Sequence, residues 1–150
     1  MSDKKIEIRL LTPSVRSSQS QYKYQGEVDM VIVRTITGDR GFLPGHEPCS
    51  VVLDAGVLRI LREGQDELKL AVLGGVAQME NDIVTIVTET AEWPENIDRA
   101  KASAWLDETI NQMEKATPAE QERLRANLRG AETLIMVSGF PPSGITHDAS

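Results

Sequence analysis

The amino-acid sequence predicts an α+β fold that is mainly β: an N-terminal antiparallel β-sandwich or barrel followed by a C-terminal antiparallel α-helical hairpin. Short alternating or β-branched apolar runs recur up to about residue 90, whereas apolar residues after Pro94 are spaced three or four apart. We therefore expect a β-sandwich domain at 1–90 and a hairpin domain at 91–137. Residues 138–150 are rich in Gly, Pro and Ser, which predicts a flexible tail.

Eight strand-length runs occupy the first domain, and turn-forming residues separate them. Glu63-Gly64-Gln65-Asp66 and Gly74-Gly75 are clear examples of such turns. Because these connections are too short to cross over a sheet, we expect antiparallel neighbours and no parallel pair. The predicted strands are Ile6–Leu11, Gln21–Tyr24, Val28–Arg34, Ser50–Leu53, Val57–Arg62, Leu68–Leu73, Val76–Met79 and Ile83–Thr88.

The second domain carries two helical patterns joined by a short connection, which predicts a hairpin. Thr117-Pro118-Ala119-Glu120 opens the second helix, because Thr can cap it, Pro suits the first helical position and Glu completes a capping box. Gly130 lies inside this helix and costs about 1 kcal/mol relative to Ala, so we expect fraying there. The apolar face of the first helix is formed by Ala102, Trp105 or Leu106, Thr109 or Ile110, and Met113, and that of the second by Leu124, Leu128, Ala131, Leu134 and Ile135.

Composition excludes several classes of protein. The chain has 150 residues, of which 40% are hydrophobic and 26% charged, enough apolar content to fold around a core. Its net charge of −7 and lack of a dense basic cluster argue against nucleic-acid binding. No apolar run approaches the ~20 residues that cross a bilayer, and no signal segment precedes the first strand, so we expect a protein that stays where it is made. One Cys and two His cannot supply a four-ligand zinc site.

The sequence carries few groups arranged as in known catalytic sites. The sequence has no nucleophile elbow, phosphate loop, zinc-protease motif or calcium loop. Cys49 is interpreted as a small buried hydrophobe, and His147 lies in the predicted tail. Glu63, Asp66 and Glu67 flank a turn where carboxylates normally face water. A free-standing enzyme is therefore disfavoured, and no metal or cofactor is expected.

The segment from Thr37 to Pro48 concentrates Gly, Pro, a His and charged residues between two strands. Loops of this composition either make a tight turn or bind a partner. The residues alone leave both interpretations open, with His46 a surface residue in the first.

Several motifs of this sequence occur in one order in a known family. Gly26–Val33 and Gly41–Pro48 resemble the epsilon subunit of the bacterial and chloroplast F-type ATP synthase. Gly56–Ile60 also resembles it, and the resemblance covers roughly residues 5–137. The remaining motifs are Gly74-Gly75-Val76 followed by Val84–Val87, and Thr90-Ala91-Glu92 followed by Ile97-Asp98.

The resemblance implies a non-catalytic rotor component of the central stalk of a proton- or sodium-translocating synthase. Its sandwich would contact the gamma subunit and the c-ring, at the periphery of the cytoplasmic face of the bacterial plasma membrane. Arg40 stands where the family usually has an apolar residue, so the local contact is expected to differ. The implied contact residues are Asp39, Arg40, Phe42, Leu43, Pro44, Gly45 and His46.

The resemblance also implies a regulatory hairpin, which permits ATP hydrolysis when folded on the sandwich and obstructs rotation when extended along gamma. Arg123, Arg125 and Arg129 would then meet acidic segments of the catalytic beta subunits, so the extended hairpin would contact the alpha and beta subunits. A solvated basic helix face explains the same three residues equally well.

Some members of the family bind ATP between the two helices. The alternative function for this chain is therefore an ATP sensor that uses its helical hairpin. Lys101 replaces the Arg of the motif, and three other arginine positions are Glu108, Gly130 and Leu134 here. Lys does not replace the bidentate fork of Arg, and Glu repels phosphate, so weak or absent ATP binding is expected. The partial match consists of Glu92, Ile97, Asp98, Lys101 and Arg123.

Overall fold

The computed structural model describes residues 4–13 and 22–145. Within these ranges a mainly β unit is followed by two helices, which confirms the predicted α+β class. The strands are β1 Ile6–Leu11, β2 Tyr22–Val28, β3 Met30–Thr35, β4 Gly38–Phe42, β5 Cys49–Leu61, β6 Leu68–Glu80, β7 Ile83–Val87 and β8 Ala91–Glu92. The helices are a 3-10 turn at Pro94–Asn96, α1 at Arg99–Lys115 and α2 at Pro118–Ser138.

Seven of the described strands form one continuous sheet in the order β2-β1-β7-β6-β5-β3-β4, and β8 pairs with β6. The two long strands, β5 and β6, pair on both sides of a bend at Asp54 and Gly74. One side continues into β7, β1 and β2, and the other into β3 and β4. Apolar residues from both sides share one core cluster, as in two packed layers.

Three sequence predictions about the strands are wrong. The runs at Ser50–Leu53 and Val57–Arg62 form the single strand β5, because Ala55-Gly56 bends the strand without ending it. The runs at Leu68–Leu73 and Val76–Met79 likewise form the single strand β6. Part of the predicted loop at 37–48 is strand β4. Gln21, the predicted start of the second strand, lies outside the described residues.

One pair of strands is parallel, contrary to the sequence prediction. β1 and β7 pair in parallel, with Ile8 opposite Val84 and Leu10 opposite Ile86. Short connections exclude a parallel pair only between consecutive strands, whereas these two strands are far apart in the chain.

The sandwich core extends beyond residue 90. Trp93 is 1% exposed and belongs to the core cluster, where its ring meets Tyr24 edge to face at 6.0 Å. β8 precedes Trp93 and pairs with Ala71 and Val72 of β6. The predicted boundary between residues 90 and 91 therefore falls inside the sandwich.

The hairpin follows its predicted capping pattern. Asp98 caps α1 by accepting from the backbone N–H of Lys101, and Thr117 and Glu120 form the capping box of α2. α2 packs on β5 and β6 of the sandwich. It remains helical through Gly130, where a Cβ atom would lie 2.9 Å from Cη2 of Trp105. The predicted fraying is wrong, because close packing against Trp105 and Leu73 holds the glycine in place.

The predicted tail begins one residue too early, since Ser138 is the last residue of α2. Residues 139–145 follow the helix outside regular secondary structure. The rest of the predicted tail, including His147, lies outside the described residues, so its flexibility stays a prediction.

Candidate docking surfaces

The predicted contact loop is fixed to the sandwich at one end of β4. The backbone N–H of Gly45 donates to Oδ1 of Asp82 at 2.7 Å, and that of His46 donates to the carbonyl of Leu43 at 3.1 Å. Leu43 is 50% exposed, so the loop presents an apolar side chain. We call residues 43–46 the loop end of the sandwich.

Phe42 differs from the sequence expectation of a partner contact. Its side chain is 0% exposed and belongs to the core cluster. The His46 ring packs edge to face on it, with ring centroids 5.4 Å apart. Phe42 therefore supports the loop end from inside the sandwich and is not available to a partner.

A charged cluster borders the loop end. The Lys5 ammonium donates to carboxylates of Asp29 and Glu63, with 3.0 Å to Glu63, and the backbone N–H of Glu63 donates to Asp29. The hydrogen bond from Lys5 lowers the pKa of Asp29, and the bonds to Asp29 and Glu63 raise the pKa of Lys5. The cluster ties the start of β1 to the β2–β3 and β5–β6 connections.

This cluster predicts a pH dependence of stability. Because the folded-state pKa of Asp29 is lowered, its interactions stabilise the fold above its ordinary pKa of 3.8, and this stabilisation is lost as pH falls through the lowered pKa. Urea unfolding at about pH 6 and about pH 2 should therefore show a smaller acid loss in Asp29→Asn than in the unchanged chain. Asp66→Asn, in the neighbouring turn, should keep the full loss; equal losses in all three chains would contradict the assignment.

Asp39 and Arg40 lie on β4 itself, with Asp39 near the strand end that is farther from residues 43–46. Asp39 faces Arg34 across the β3–β4 pair, with 3.3 Å between its Oδ1 and Nη1 of Arg34. Asp39 lines a cleft with Asp54 of β5 and Arg129 of α2, and both Asp39 and Arg40 line a hollow with Ile36. The structure thus separates the predicted contact residues into two groups.

An exposed row of apolar side chains crosses five strands on the outer face of the sandwich. Direct cross-strand pairing places the five residues side by side, so their side chains share one face. Four of them are substantially exposed: Val52 by 66%, Val76 by 42%, Val87 by 45% and Tyr22 by 42%. We call this set the apolar row, and it consists of Tyr22, Leu11, Val87, Val76 and Val52.

The next row on the same face is polar. Its side chains lie two residues away along β1, β5, β6 and β7 and three residues away along β2, where the register shifts, and they pair directly with one another. The change from apolar to polar occurs within two or three residues along each strand, so the apolar row has a sharp boundary on this side. We call the second set the polar row, and it consists of Gln25, Arg9, Thr85, Gln78 and Ser50.

The three predicted hairpin arginines have different surroundings. Nε of Arg129 lies 3.0 Å from Oδ1 of Asp54, an ion pair that joins α2 to β5. Nη1 of Arg125 lies 2.7 Å from Oε2 of Glu122 on the same helix. Arg123 is exposed. Among these three, Arg129 is the one whose side chain bonds to the sandwich.

Four of the five residues in the partial nucleotide motif line one cleft: Glu92, Ile97, Asp98 and Lys101. Arg123 is not among its lining residues; it lies eleven positions before Leu134, about 16 Å along α2 at 1.5 Å per residue. Leu134 lines the cleft in place of a cation, and the carboxylate of Asp98 is engaged in capping α1. The lining therefore carries two carboxylates against one ammonium, which disfavours phosphate.

Residues 4–13 and 22–145 lack two further features. No cluster of His, Cys, Asp and Glu in these ranges could hold a metal ion. No helix there has the length and apolar content needed to span a membrane. Cys49 is half-buried beside the core, with its Sγ 3.9 Å from Nδ1 of His46.

Comparison with known proteins gives a consistent result. A family profile described as "ATP synthase, Delta/Epsilon chain, beta-sandwich domain" matches residues 15–94. The ATP synthase epsilon chain of Halalkalibacterium halodurans is 37% identical over 118 residues, covering 77% of this chain and 88% of that one. The epsilon chain of Bacillus licheniformis is 38% identical over 105 residues, covering 70% and 79%.

Solved structures show the same similarity. A chain of the Euglena gracilis mitochondrial ATP synthase, in a structure of OSCP, F1 and c-ring, superposes with a TM-score of 0.68 at 28% identity, over 89% of this chain and 83% of that one. A chain from the central stalk and c-ring of the Tetrahymena thermophila mitochondrial ATP synthase gives a TM-score of 0.57 at 15% identity, over 91% and 98%. The second similarity supports the fold alone.

Proposed function

The chain belongs to the family of ATP synthase epsilon chains, and we propose that its sandwich docks on gamma through the apolar row and on the c-ring through the loop end. It is a non-catalytic subunit of the central stalk, a peripheral component of a membrane-associated complex. The membrane face on which it works is proposed to be the cytoplasmic face of a bacterial plasma membrane.

The apolar row carries this proposal. Scattered apolar side chains are normal on protein surfaces, but a contiguous exposed set indicates an interaction site. Strand pairing fixes the spacing of the row, and the core beneath it is closely packed, so the surface is rigid before docking. A subunit that transmits torque benefits from such a preorganised surface.

The loop end supports docking of a second partner at a separate place. Its backbone is fixed to Asp82, and it presents Leu43 beside the Lys5–Asp29–Glu63 cluster. A mixed apolar and charged surface fits the polar loops that a membrane ring exposes outside the bilayer. Two separate surfaces allow the sandwich to bind gamma and the c-ring at the same time.

Two single substitutions on β6 test the role of the apolar row. Val76→Glu places a charge in the row, and burying it at an interface is expected to weaken binding to an alpha-beta-gamma core at least about tenfold. Gln78→Glu adds the same charge to the polar row of the same strand and should weaken binding less than about threefold. Affinity is measured by titration of labelled chain, with unfolding curves to confirm that both variants fold.

Equal affinities for the two variants would contradict the placement of gamma on the apolar row. A stronger effect of Gln78→Glu would place the interface on the polar row. If the unchanged chain did not bind the core at all, docking of the sandwich on gamma would be contradicted.

The hairpin is proposed to act as a brake on ATP hydrolysis when it leaves the sandwich. In the folded arrangement Arg129 is paired with Asp54, whereas Arg123 is exposed. Extension would break the Arg129–Asp54 pair and free a second cation to meet acidic segments of the catalytic subunits. The small buried side chains of α2, such as Ala131 and Thr133, suit a helix that must undock, because each buries little apolar area.

The second candidate function, an ATP sensor in the hairpin, is favoured only by the cleft that unites Glu92, Ile97, Asp98 and Lys101. Its two carboxylates lead us to expect ATP binding weaker than about 1 mM by calorimetry. Leu134→Arg, which adds a cation to the cleft lining, should strengthen binding, whereas Leu124→Arg, outside that lining, should not. Binding by the unchanged chain tighter than about 1 mM would favour the sensor.

A further inference from the structure

The segment that follows α2 returns to the sandwich. Gly139 ends the helix, and its backbone N–H donates to the carbonyl of Met136 at 3.1 Å. Phe140, Ser143 and Ile145 are then half-buried, while the residues between them are exposed. Three half-buried residues within six indicate a docked segment, to which the docking surfaces described above assign no function.

Ser143 holds the connection between sandwich and hairpin. Its backbone N–H donates to Oε1 of Glu95 at 3.0 Å, and its hydroxyl donates to the other carboxylate oxygen, Oε2. The same hydroxyl accepts from the backbone N–H of Ile145 at 3.1 Å. Hydrogen bonds to a charged acceptor are stronger than neutral ones, and here a single carboxylate receives two.

Phe140 and Ile145 anchor the segment to the sandwich itself. The Lys69 ammonium, on β6, lies 4.7 Å from the centroid of the Phe140 ring, within the range of a cation–π contact. Ile145 packs against the core cluster of the sandwich. The two contacts lie on either side of Ser143 in the chain.

Pro141 and Pro142 connect Phe140 to Ser143. Proline fixes φ and has few conformations in the unfolded chain, so ordering this stretch costs less entropy than ordering other residues. The Pro pair also prevents α2 from continuing past Gly139. The sequence is therefore suited to turning away from the helix and docking.

We propose that residues 140–145 form a C-terminal clasp that fastens the hairpin in its folded arrangement. Pivoting of the hairpin about residues 97–98 would keep the end of α2 near Glu95 but would carry Phe140 and Ile145 away from β6 and the core. Undocking therefore requires the clasp to open. Its role in limiting the brake rests on the proposed function, whereas its role in holding the hairpin does not.

Two truncations separate the clasp from the residues beyond it. A chain ending at Ile145 keeps the clasp, and a chain ending at Gly139 removes it but keeps the cap of α2. Each carries Cys49→Ser and Ala131→Cys, which places a thiol at a position that is 0% exposed on α2. The rate of thiol modification then reports how often this buried face of α2 becomes exposed. Ala77→Cys, at 0% exposure in the sandwich, reports opening of the core.

We expect modification at position 131 to be about tenfold faster in the chain ending at Gly139 than in the chain ending at Ile145, with equal rates at position 77. Ser143→Ala and Ile145→Ser in the full chain should each give a smaller increase. Equal rates at position 131 would overturn the clasp, and a parallel increase at position 77 would show general destabilisation and overturn it too. Thr133→Cys, at 7% exposure, replaces Ala131→Cys if that variant does not fold.

A second measurement distinguishes the clasp proposal from the brake proposal. The rate of ATP hydrolysis by an alpha-beta-gamma core is measured while each truncated chain is titrated in. Stronger inhibition by the chain ending at Gly139 is the expected result. Faster modification without stronger inhibition would keep the clasp and contradict the brake.

Discussion

Gly75→Ala is expected to lower the free energy of unfolding by about 3 kcal/mol or more, because strain and a clash act together. Gly75 has φ +119°, which L-residues rarely adopt. A Cβ atom there would lie 2.2 Å from the carbonyl oxygen of Val87 and 3.1 Å from Cα of Thr88. Neither backbone group can move without disturbing the β6–β7 pairing that continues from Val76.

Gly64→Ala is the matched control for this prediction. Gly64 also has positive φ, at +73°, but a Cβ atom there would meet nothing within 4 Å. It should cost about 1 kcal/mol, which is the conformational penalty without the clash. Urea unfolding followed by circular dichroism measures both. A loss below about 1 kcal/mol for Gly75→Ala, or equal losses for the two variants, would contradict the close approach of β6 to β7.

Trp93→Ala is expected to lower the free energy of unfolding by about 3 to 5 kcal/mol, the usual range for removing a buried aromatic side chain. Trp93 is 1% exposed and packs edge to face on Tyr24 of β2. Its removal would leave a cavity in the sandwich core and would also loosen β8, the strand that immediately precedes it. A truncation ending at Ala91 should be destabilised for the same reason, whereas one ending at Asn96 should retain the sandwich.

Trp105→Ala provides the control for Trp93. Trp105 is half-buried within the hairpin, where it contacts Gly130 of α2. Its loss should affect the hairpin and change unfolding of the sandwich by less than about 1 kcal/mol. Comparable losses for the two substitutions would contradict the assignment of Trp93 to the sandwich.

The local sequence predicts which segments are strands and which are helices, but it predicts less well where strands end and how they pair. Periodicity identifies the β region and both helices, and the capping box at Thr117 places the start of α2 correctly. It does not distinguish a bend from a turn: the glycines at Gly56 and Gly74 look like strand ends but lie inside β5 and β6. The parallel pairing of β1 with β7 depends on packing between distant segments, which local patterns do not encode.

Some candidate site residues can be identified from the local sequence, whereas others depend on contacts between distant segments. Apolar and polar rows can be assigned only after the strand register is known, because each exposed Val alternates with a buried residue along an apolar run. Val76, for example, precedes the buried Ala77. Phe42 lies in a motif implied to contact partners, yet its side chain is in the core. The clasp depends on Ser143 meeting Glu95, 48 residues earlier in the chain.

The most direct measurement of the central claim is binding to an alpha-beta-gamma core from the same organism, with ATP hydrolysis followed in parallel. The full chain is compared with a truncation ending at Asn96, which retains β8 and Trp93. We predict that both chains bind stoichiometrically and that only the full chain inhibits hydrolysis. Failure of both chains to bind would contradict docking of the sandwich, and inhibition by the truncated chain would contradict the assignment of the brake to the hairpin.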